Sequence, residues 1–220
     1  MMEDYMRNVM TLEKVPLHLR ETVCDEMCHG IEVSNLAVMI SRELGKSEEF
    51  CEKIELAGIL HDIGKLKLTK YLYSEDGLLV EQMKYVRQHS AQSREVILEA
   101  GYSDEIADAV YHHHENYDGS GYPGNLRGDA IPEMARILRV CDVFIALTSN
   151  RSYRKAFDPK AALEIMIDEV ADYDMKVFLA FQRVVHHTVL KDGMDQIRMV
   201  RNEHQLEPLQ LFEYEIKELV

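Results

Sequence analysis

The chain has 220 residues, of which 46% are hydrophobic and 29% are charged. That length supports one domain with a substantial core, so folding does not require disulfides or a structural metal. The formal net charge of −14 argues against a protein that binds duplex nucleic acid or anionic membranes, because such a surface repels both.

The sequence also lacks the features of secretion and membrane insertion. No apolar run approaches the ~20 residues of a membrane span, and the first ten residues, MMEDYMRNVM, show no signal-peptide pattern. The four cysteines form no CxxC pair, so we expect reduced core thiols in a cytoplasmic protein. They are Cys24, Cys28, Cys51 and Cys141.

Apolar residues recur at helical spacing along most of the chain. The first predicted helix, 22–44, ends before Gly45, and Ser103 is an N-cap candidate for a later one. The predicted helices cover residues 22–44, 48–61, 80–100, 103–114, 132–149, a segment starting at Asp158-Pro159, 174–191 and 194–220. Between them, residues 118–132 contain four glycines and two prolines, which is typical of an ordered loop.

No strand-like alternation, repeat or low-complexity run is present. We therefore predict an all-α fold with one compact domain over residues 22–190. Residues 1–21 and 191–220 are predicted to be helical extensions. Their apolar residues fit either a dimer interface or the capping of the core of one chain, and the sequence leaves both alternatives open.

Polar side chains interrupt the apolar stripes of five predicted helices. His61 continues the stripe of Phe50, Ile54 and Ala57, and Asp142 lies on the stripe of Leu138. His29, His89 and His113 occupy comparable positions. A single buried histidine is more often a hydrogen-bonded core residue than a ligand. An isolated buried carboxylate is costly, however, so convergence of these groups would require a cation among them.

Three sequence blocks resemble the HD-GYP phosphodiesterases, a subgroup of the HD-domain phosphohydrolases. They read LAGILHDIGKLKL at 56–68, HHHENYDGSGYPGNLRGDAIPEMARI at 112–137 and RVCDVFIALTSNRSYRKA at 139–156. The resemblance covers about residues 25–185. It implies an HD-domain helical bundle with a multinuclear metal site in its core, and hydrolysis of cyclic di-GMP in bacterial second-messenger signalling.

The resemblance also implies roles for particular residues. The metal ligands would be Asp25, His29, His61, Asp62, His89, His113, His114 and Asp142. Asp62 would bridge two metals, and Lys65 would lie beside the scissile phosphate. The substrate-binding residues would be Gly121, Tyr122 and Pro123 of the GYP motif, with Arg151 and Arg154 on the phosphates.

Asp25 would add a third metal site, since relatives with three metals carry glutamate there. The alternative interpretation is a first-turn carboxylate that the helix dipole favours. Histidine and carboxylate ligands without thiolate suit Fe or Mn at least as well as Zn, and other divalent transition metals remain candidates. One departure is Ile145, which replaces a family carboxylate and leaves the substrate preference open.

Three alternatives to cyclic di-GMP hydrolysis stay open from the sequence. The substrate could instead be another cyclic dinucleotide, such as cyclic GMP-AMP, or a nucleotide. The chain could be a signalling adaptor that binds a protein partner through the GYP loop without catalysis. A redox di-iron role fits the ligand types, although the arginines predicted to bind phosphate argue against it.

Overall fold

The computed structural model describes residues 2–12, 15–68, 86–150, 154–199 and 203–218. These residues form helices and connecting loops and contain no β-strand, which confirms the all-α prediction. The α-helices are α1 Met2–Met10, α2 Leu17–Glu43, α3 Glu48–Leu60, α4 His89–Glu99, α5 Asp104–Tyr111, α6 Glu133–Thr148, α7 Pro159–Asp168, α8 Met175–His187, α9 Val189–Asp192, α10 Asp195–Arg198 and α11 Leu209–Glu218. Short 3-10 helices cover Ile63–Leu68, Gly128–Ala130, Val170–Asp172 and Glu203–Leu206.

The long helix α2 is the central element of the bundle, and α3, α6 and α10 all pack against it. It ends at the predicted glycine: Gly45 adopts φ +72°, and the amides of Gly45 and Lys46 donate to the carbonyls of Arg42 and Ser41. This is a Schellman motif, in which glycine carries no Cβ penalty. The helix begins directly after Pro16, earlier than predicted. Its first turns are largely exposed and carry no apolar stripe, so the apolar pattern could not indicate this start.

Helices α2 and α3 approach closely through two glycines. A Cβ on Gly58 would lie 2.6 Å from the Cα of Ser34, and one on Gly30 would lie 3.1 Å from the carbonyl carbon of Ile59. Only glycine allows backbones this near to each other. The crossing brings His29 of α2 close to His61, the residue that follows α3, with their ring centroids 5.2 Å apart.

The 3-10 helix Ile63–Leu68 packs against α4 through a third glycine. The Gly64 amide donates to Ser93 Oγ at 2.9 Å, and a Cβ on Gly64 would lie 2.8 Å from the carbonyl carbon of Gln92. This contact places the segment that follows His61 against the first turn of α4. Asp62 and His89 therefore become neighbours, although 26 residues separate them.

Several predicted helices are shorter than the apolar pattern indicated. Within the predicted helix 80–100, residues 87 and 88 form a turn and α4 starts at His89, while residues 80–85 lie outside the described part of the chain. The predicted helix 103–114 ends at Tyr111. The predicted helices 174–191 and 194–220 are each divided into shorter segments. At the break after α8, Val185 and Val189 are buried on either side of Thr188, so the apolar spacing continues across the turn.

The C-terminal segments pack onto the same core through a buried amide pair. Asn35 on α2 donates to the carbonyls of Ile197 and Met199 at 2.6 and 2.8 Å, and Gln205 donates to Asn35 Oδ1 at 2.8 Å. Phe212 of α11 is fully buried as well. The predicted domain boundaries remain predictions, and a dimer remains one of the two alternatives that the sequence leaves open. No helix among the described residues is long and apolar enough to cross a membrane.

Candidate metal centre

Seven of the eight predicted metal ligands converge in the core. They form two groups that share one carboxylate: His29, His61, Asp62 and Asp142, and Asp62, His89, His113 and His114. Within each group, one potential ligand atom from every residue lies within 4.8 Å of the others. Asp62 belongs to both groups, as expected for a carboxylate that bridges two metal ions.

Three histidines are held in one orientation by the backbone. The Nδ1 atoms of His61, His89 and His113 each hydrogen-bond to the carbonyl of the residue three positions earlier, at 2.8, 2.5 and 2.5 Å. A neutral ring that donates through Nδ1 presents the lone pair of Nε2 on its other side. The backbone carbonyls therefore direct three Nε2 atoms into the cluster.

The Nε2 atoms then lie closer to one another than unprotonated ring nitrogens can without repulsion. His89 Nε2 is 3.3 Å from His113 Nε2 and 3.1 Å from His114 Nε2. Because Nδ1 of both His89 and His113 donates to a carbonyl, the two facing lone pairs of these neutral rings repel each other. His61 Nε2 and Asp62 Oδ1 are also buried without a hydrogen-bond partner among the described residues. A cation among these atoms would compensate all of them, so the donor set fits divalent metal ions.

The carboxylates give the site its electrostatic character. Burial disfavours ionisation of Asp62, but His61 and Lys65 outweigh burial and hold its pKa well below the usual range. Asp142 behaves in the same way: the neighbouring His29 and His61 outweigh burial, and its pKa is also far below normal. Burial and the two carboxylates act in opposite directions on His61, and the carboxylates prevail and raise its pKa to about 10. The site is therefore built to hold positive charge.

The surroundings of His113 and His114, in the second ligand group, favour neutral histidine. Burial lowers the pKa of His114 to about 3, and it also lowers the pKa of His113 well below its usual value. Both rings thus keep their lone pairs at neutral pH, which is the form that binds metal.

Lys65 lies at the edge of the cluster, and its predicted role beside a scissile phosphate stays a prediction. Its ammonium group makes an ion pair with Asp62, and it contacts Glu26 at 3.2 Å. Asp25 belongs to neither ligand group and its side chain is exposed, so the structure does not bring it into the centre. The residue that faces the site from this turn of α2 is Glu26, which sequence reasoning missed. The i, i+3 spacing from Glu26 to His29 was the available signal.

The GYP loop closes over the second ligand group. The Tyr122 ring stacks on His114, with centroids 4.8 Å apart and planes inclined by 25°. Gly121 is required here, because a Cβ would lie 2.6 Å from the Cα of Glu115. Glu115, which the sequence analysis did not single out, is 1% exposed and accepts hydrogen bonds from the amides of Gly124 and Leu126 at 2.6 and 3.1 Å. It anchors the loop that carries Tyr122 and Pro123.

The structure describes one of the two predicted phosphate-binding arginines, Arg154, and backbone carbonyls engage its guanidinium. Arg151 lies outside the described residues. Arg154 donates to the carbonyls of Ala146 and Leu147 at 2.8 and 3.0 Å, so its guanidinium caps the C-terminal end of α6. Ile145 is completely buried in the hydrophobic core, where it contributes packing rather than polar contacts.

Comparison with known proteins gives a consistent result. A family model described as an HD domain matches residues 6–177. A cyclic di-GMP phosphodiesterase of Pseudomonas aeruginosa is 33% identical over 159 residues, which cover 71% of this chain and 38% of that protein. The 3′3′-cGAMP-specific phosphodiesterase 1 of Vibrio cholerae is 35% identical over 144 residues, which cover 65% of this chain and 33% of that protein.

A solved structure shows the same fold. It is a cyclic GMP-AMP-specific phosphodiesterase of V. cholerae, V-cGAP3, with a TM-score of 0.63 and 16% sequence identity, and the match covers 99% of this chain and 59% of that one. The chain thus spans little more than a third of the length of the two curated relatives.

Proposed function

The chain belongs to the HD-domain family, and from that premise we propose that it is a metal-dependent phosphodiesterase that hydrolyses cyclic di-GMP to the linear dinucleotide or to GMP. The observation that carries this proposal is the pair of ligand groups that share Asp62. Cyclic di-GMP is the substrate named for the P. aeruginosa relative. Two divalent metals, Fe or Mn, are the proposed cofactors.

Metal ions bound in such a pair of sites polarise a phosphoryl oxygen and lower the pKa of a bound water. The residues of this chain would supply the rest of the catalytic environment. Although burial opposes its charge, Lys65 stays protonated at neutral pH because Asp62 and Glu26 raise the pKa of its ammonium group. It therefore keeps one positive charge at the edge of the cluster, where an anionic phosphodiester would approach.

Tyr122 would provide a wall for the substrate. Its ring covers His114 on one face, and burial raises the pKa of its hydroxyl, so Tyr122 stays neutral and can donate a hydrogen bond. Glu115 holds the loop in place through two backbone amides. The loop is thus positioned by a buried carboxylate that belongs to neither ligand group.

Hydrolysis by the purified chain tests this function. Protein loaded with Mn²⁺ or Fe²⁺ is expected to convert cyclic di-GMP, and elemental analysis is expected to find two metals per chain. His61→Ala should lose both metal and turnover while the helical circular dichroism signal persists. The exposed His187→Ala serves as the matched control and should keep both. No turnover of any cyclic dinucleotide by metal-loaded wild type would refute the proposal.

Cyclic GMP-AMP is a second candidate substrate, because a V. cholerae relative of comparable identity is named for it. A comparison of kcat/KM for the two cyclic dinucleotides decides between them. An adaptor that binds a partner through the GYP loop would not need stoichiometric metal. The same elemental analysis therefore separates the adaptor from either enzyme.

A further inference from the structure

One arginine at the edge of the metal centre has no role in the sequence-based assignment. Arg87 lies in the turn before α4, two residues before the ligand His89, and its side chain is exposed. Its guanidinium carbon lies 5.2 Å from the centroid of the Tyr122 ring. Because Tyr122 in turn stacks on the ligand His114, these contacts place the guanidinium beside the ring that covers one metal-binding group.

Three other basic groups that the structure describes near this face already have partners. Arg139 donates to Asn116 Oδ1 at 2.9 Å, and Arg154 donates to helix carbonyls. Lys65 is paired with Asp62 and Glu26. In contrast, Arg87 makes no ion pair with any residue in the described ranges, and its guanidinium lies over the Tyr122 ring.

A guanidinium held in this way suits a phosphate. Arginine binds phosphate through two parallel N–H groups, and stacking on an aromatic ring orients the plane of the fork without using those donors. The chain carries a net charge of −14, so an anionic ligand needs local positive charge where it approaches. A cyclic dinucleotide has two phosphates, and only one of them can occupy the reacting position.

We propose that Arg87 binds the non-reacting phosphate of a cyclic dinucleotide and that Tyr122 orients it for this contact. This inference rests on the proposed phosphodiesterase function and adds the residue that distinguishes a two-phosphate substrate from a mononucleotide. A mononucleotide has a single phosphate, which would occupy the metal centre, so it gains nothing from Arg87.

Direct binding tests the proposal with a matched control. The variants are Arg87→Ala, Arg87→Lys and Arg94→Ala, since Arg94 makes a similar contact with Tyr111 at 5.8 Å but is paired with Asp108. Calorimetry would measure the affinity of metal-loaded protein for a hydrolysis-resistant phosphorothioate analogue of cyclic di-GMP, for GMP and for inorganic phosphate. Elemental analysis would confirm equal metal content.

Arg87→Ala should weaken binding of the analogue about tenfold or more, the loss expected for a charge-assisted contact. Binding of GMP and of inorganic phosphate should stay at wild-type values. Arg87→Lys should recover part of the affinity, since a lysine keeps the charge, and Arg94→Ala should match the wild type.

Three results would overturn the proposal. Equal affinities of Arg87→Ala and Arg94→Ala for the analogue would show that Arg87 is a surface residue. Weaker binding of GMP as well, with no recovery in Arg87→Lys, would indicate stacking on a base. A wild type that binds and hydrolyses no cyclic dinucleotide would instead refute the proposed function itself.

Discussion

The buried carboxylate of Glu115 allows a quantitative prediction. It is 1% exposed and accepts hydrogen bonds from two loop amides, those of Gly124 and Leu126. Replacement by alanine leaves both N–H groups without an acceptor. Hydrogen bonds to a charged group contribute about 1.5–3 kcal/mol each, so Glu115→Ala should lower the free energy of unfolding by about 3–6 kcal/mol. Glu115→Gln should cost about half of that, because the two loop amides bond to different carboxylate oxygens and glutamine replaces one oxygen by an NH2 group that cannot accept.

Urea titration followed by circular dichroism measures these changes. The matched control is Glu105→Ala: Glu105 is 53% exposed and paired with Lys53, so its removal should cost about 1 kcal/mol or less. Because Glu115 fixes the loop that carries Tyr122, the alanine variant should also raise KM for the cyclic dinucleotide while metal content persists. A loss similar to that of Glu105→Ala, with unchanged KM, would refute this role.

Three further predictions concern residues whose positions the structure specifies. Asp25→Asn should leave the metal stoichiometry at the wild-type value, because Asp25 belongs to neither ligand group; a loss of one metal would restore the third-site hypothesis. Arg154→Ala should lower the free energy of unfolding by about 1–3 kcal/mol, since carbonyls of α6 lose their donors, and a raised KM without destabilisation would favour the phosphate role instead. Burial raises the pKa of Glu32 despite the nearby Arg198, so the folded state binds a proton more readily than the unfolded state. The wild type should therefore gain stability relative to Glu32→Gln as pH falls from 7 to 5. Parallel pH profiles of the two proteins in urea titrations would contradict this.

Local signals made much of the fold predictable. Asp158 accepts from the Lys160 amide at the start of α7, and Ser103 directly precedes α5 as predicted, although its side chain makes no capping hydrogen bond. Gly45 ends α2. Such caps are read directly from the sequence because they act within one turn. The end of α5 at Tyr111 was not predictable, since His113 lies beyond that helix and still points into the core through its bond to the Val110 carbonyl.

The metal centre was predictable for a different reason. A histidine or aspartate on an apolar stripe must be compensated after burial, so five such positions on separate helices indicate one shared site. Asp62, for which the family resemblance implied a bridging role, does belong to both groups. The sequence could not specify which acidic residue of α2 faces the site, because Asp25 and Glu26 precede His29 by four and three positions and both spacings lie on the same side of a helix.

Three of the candidate ligand rings are held in place by backbone groups outside the cluster. The Nδ1 bonds of His61, His89 and His113 go to carbonyls at or near helix ends, where the backbone has no helical partner to lose. Each of these three rings is thus oriented by the backbone, while Lys65 and Tyr122 contact other members of the cluster, Asp62 and His114. Gly64 lets the segment after His61 approach the first turn of α4, and Gly121 lets its loop approach the backbone of residues 114–116. The glycines are therefore as much a part of the metal centre as its ligands, because a side chain at either position would separate the backbones that aim the rings.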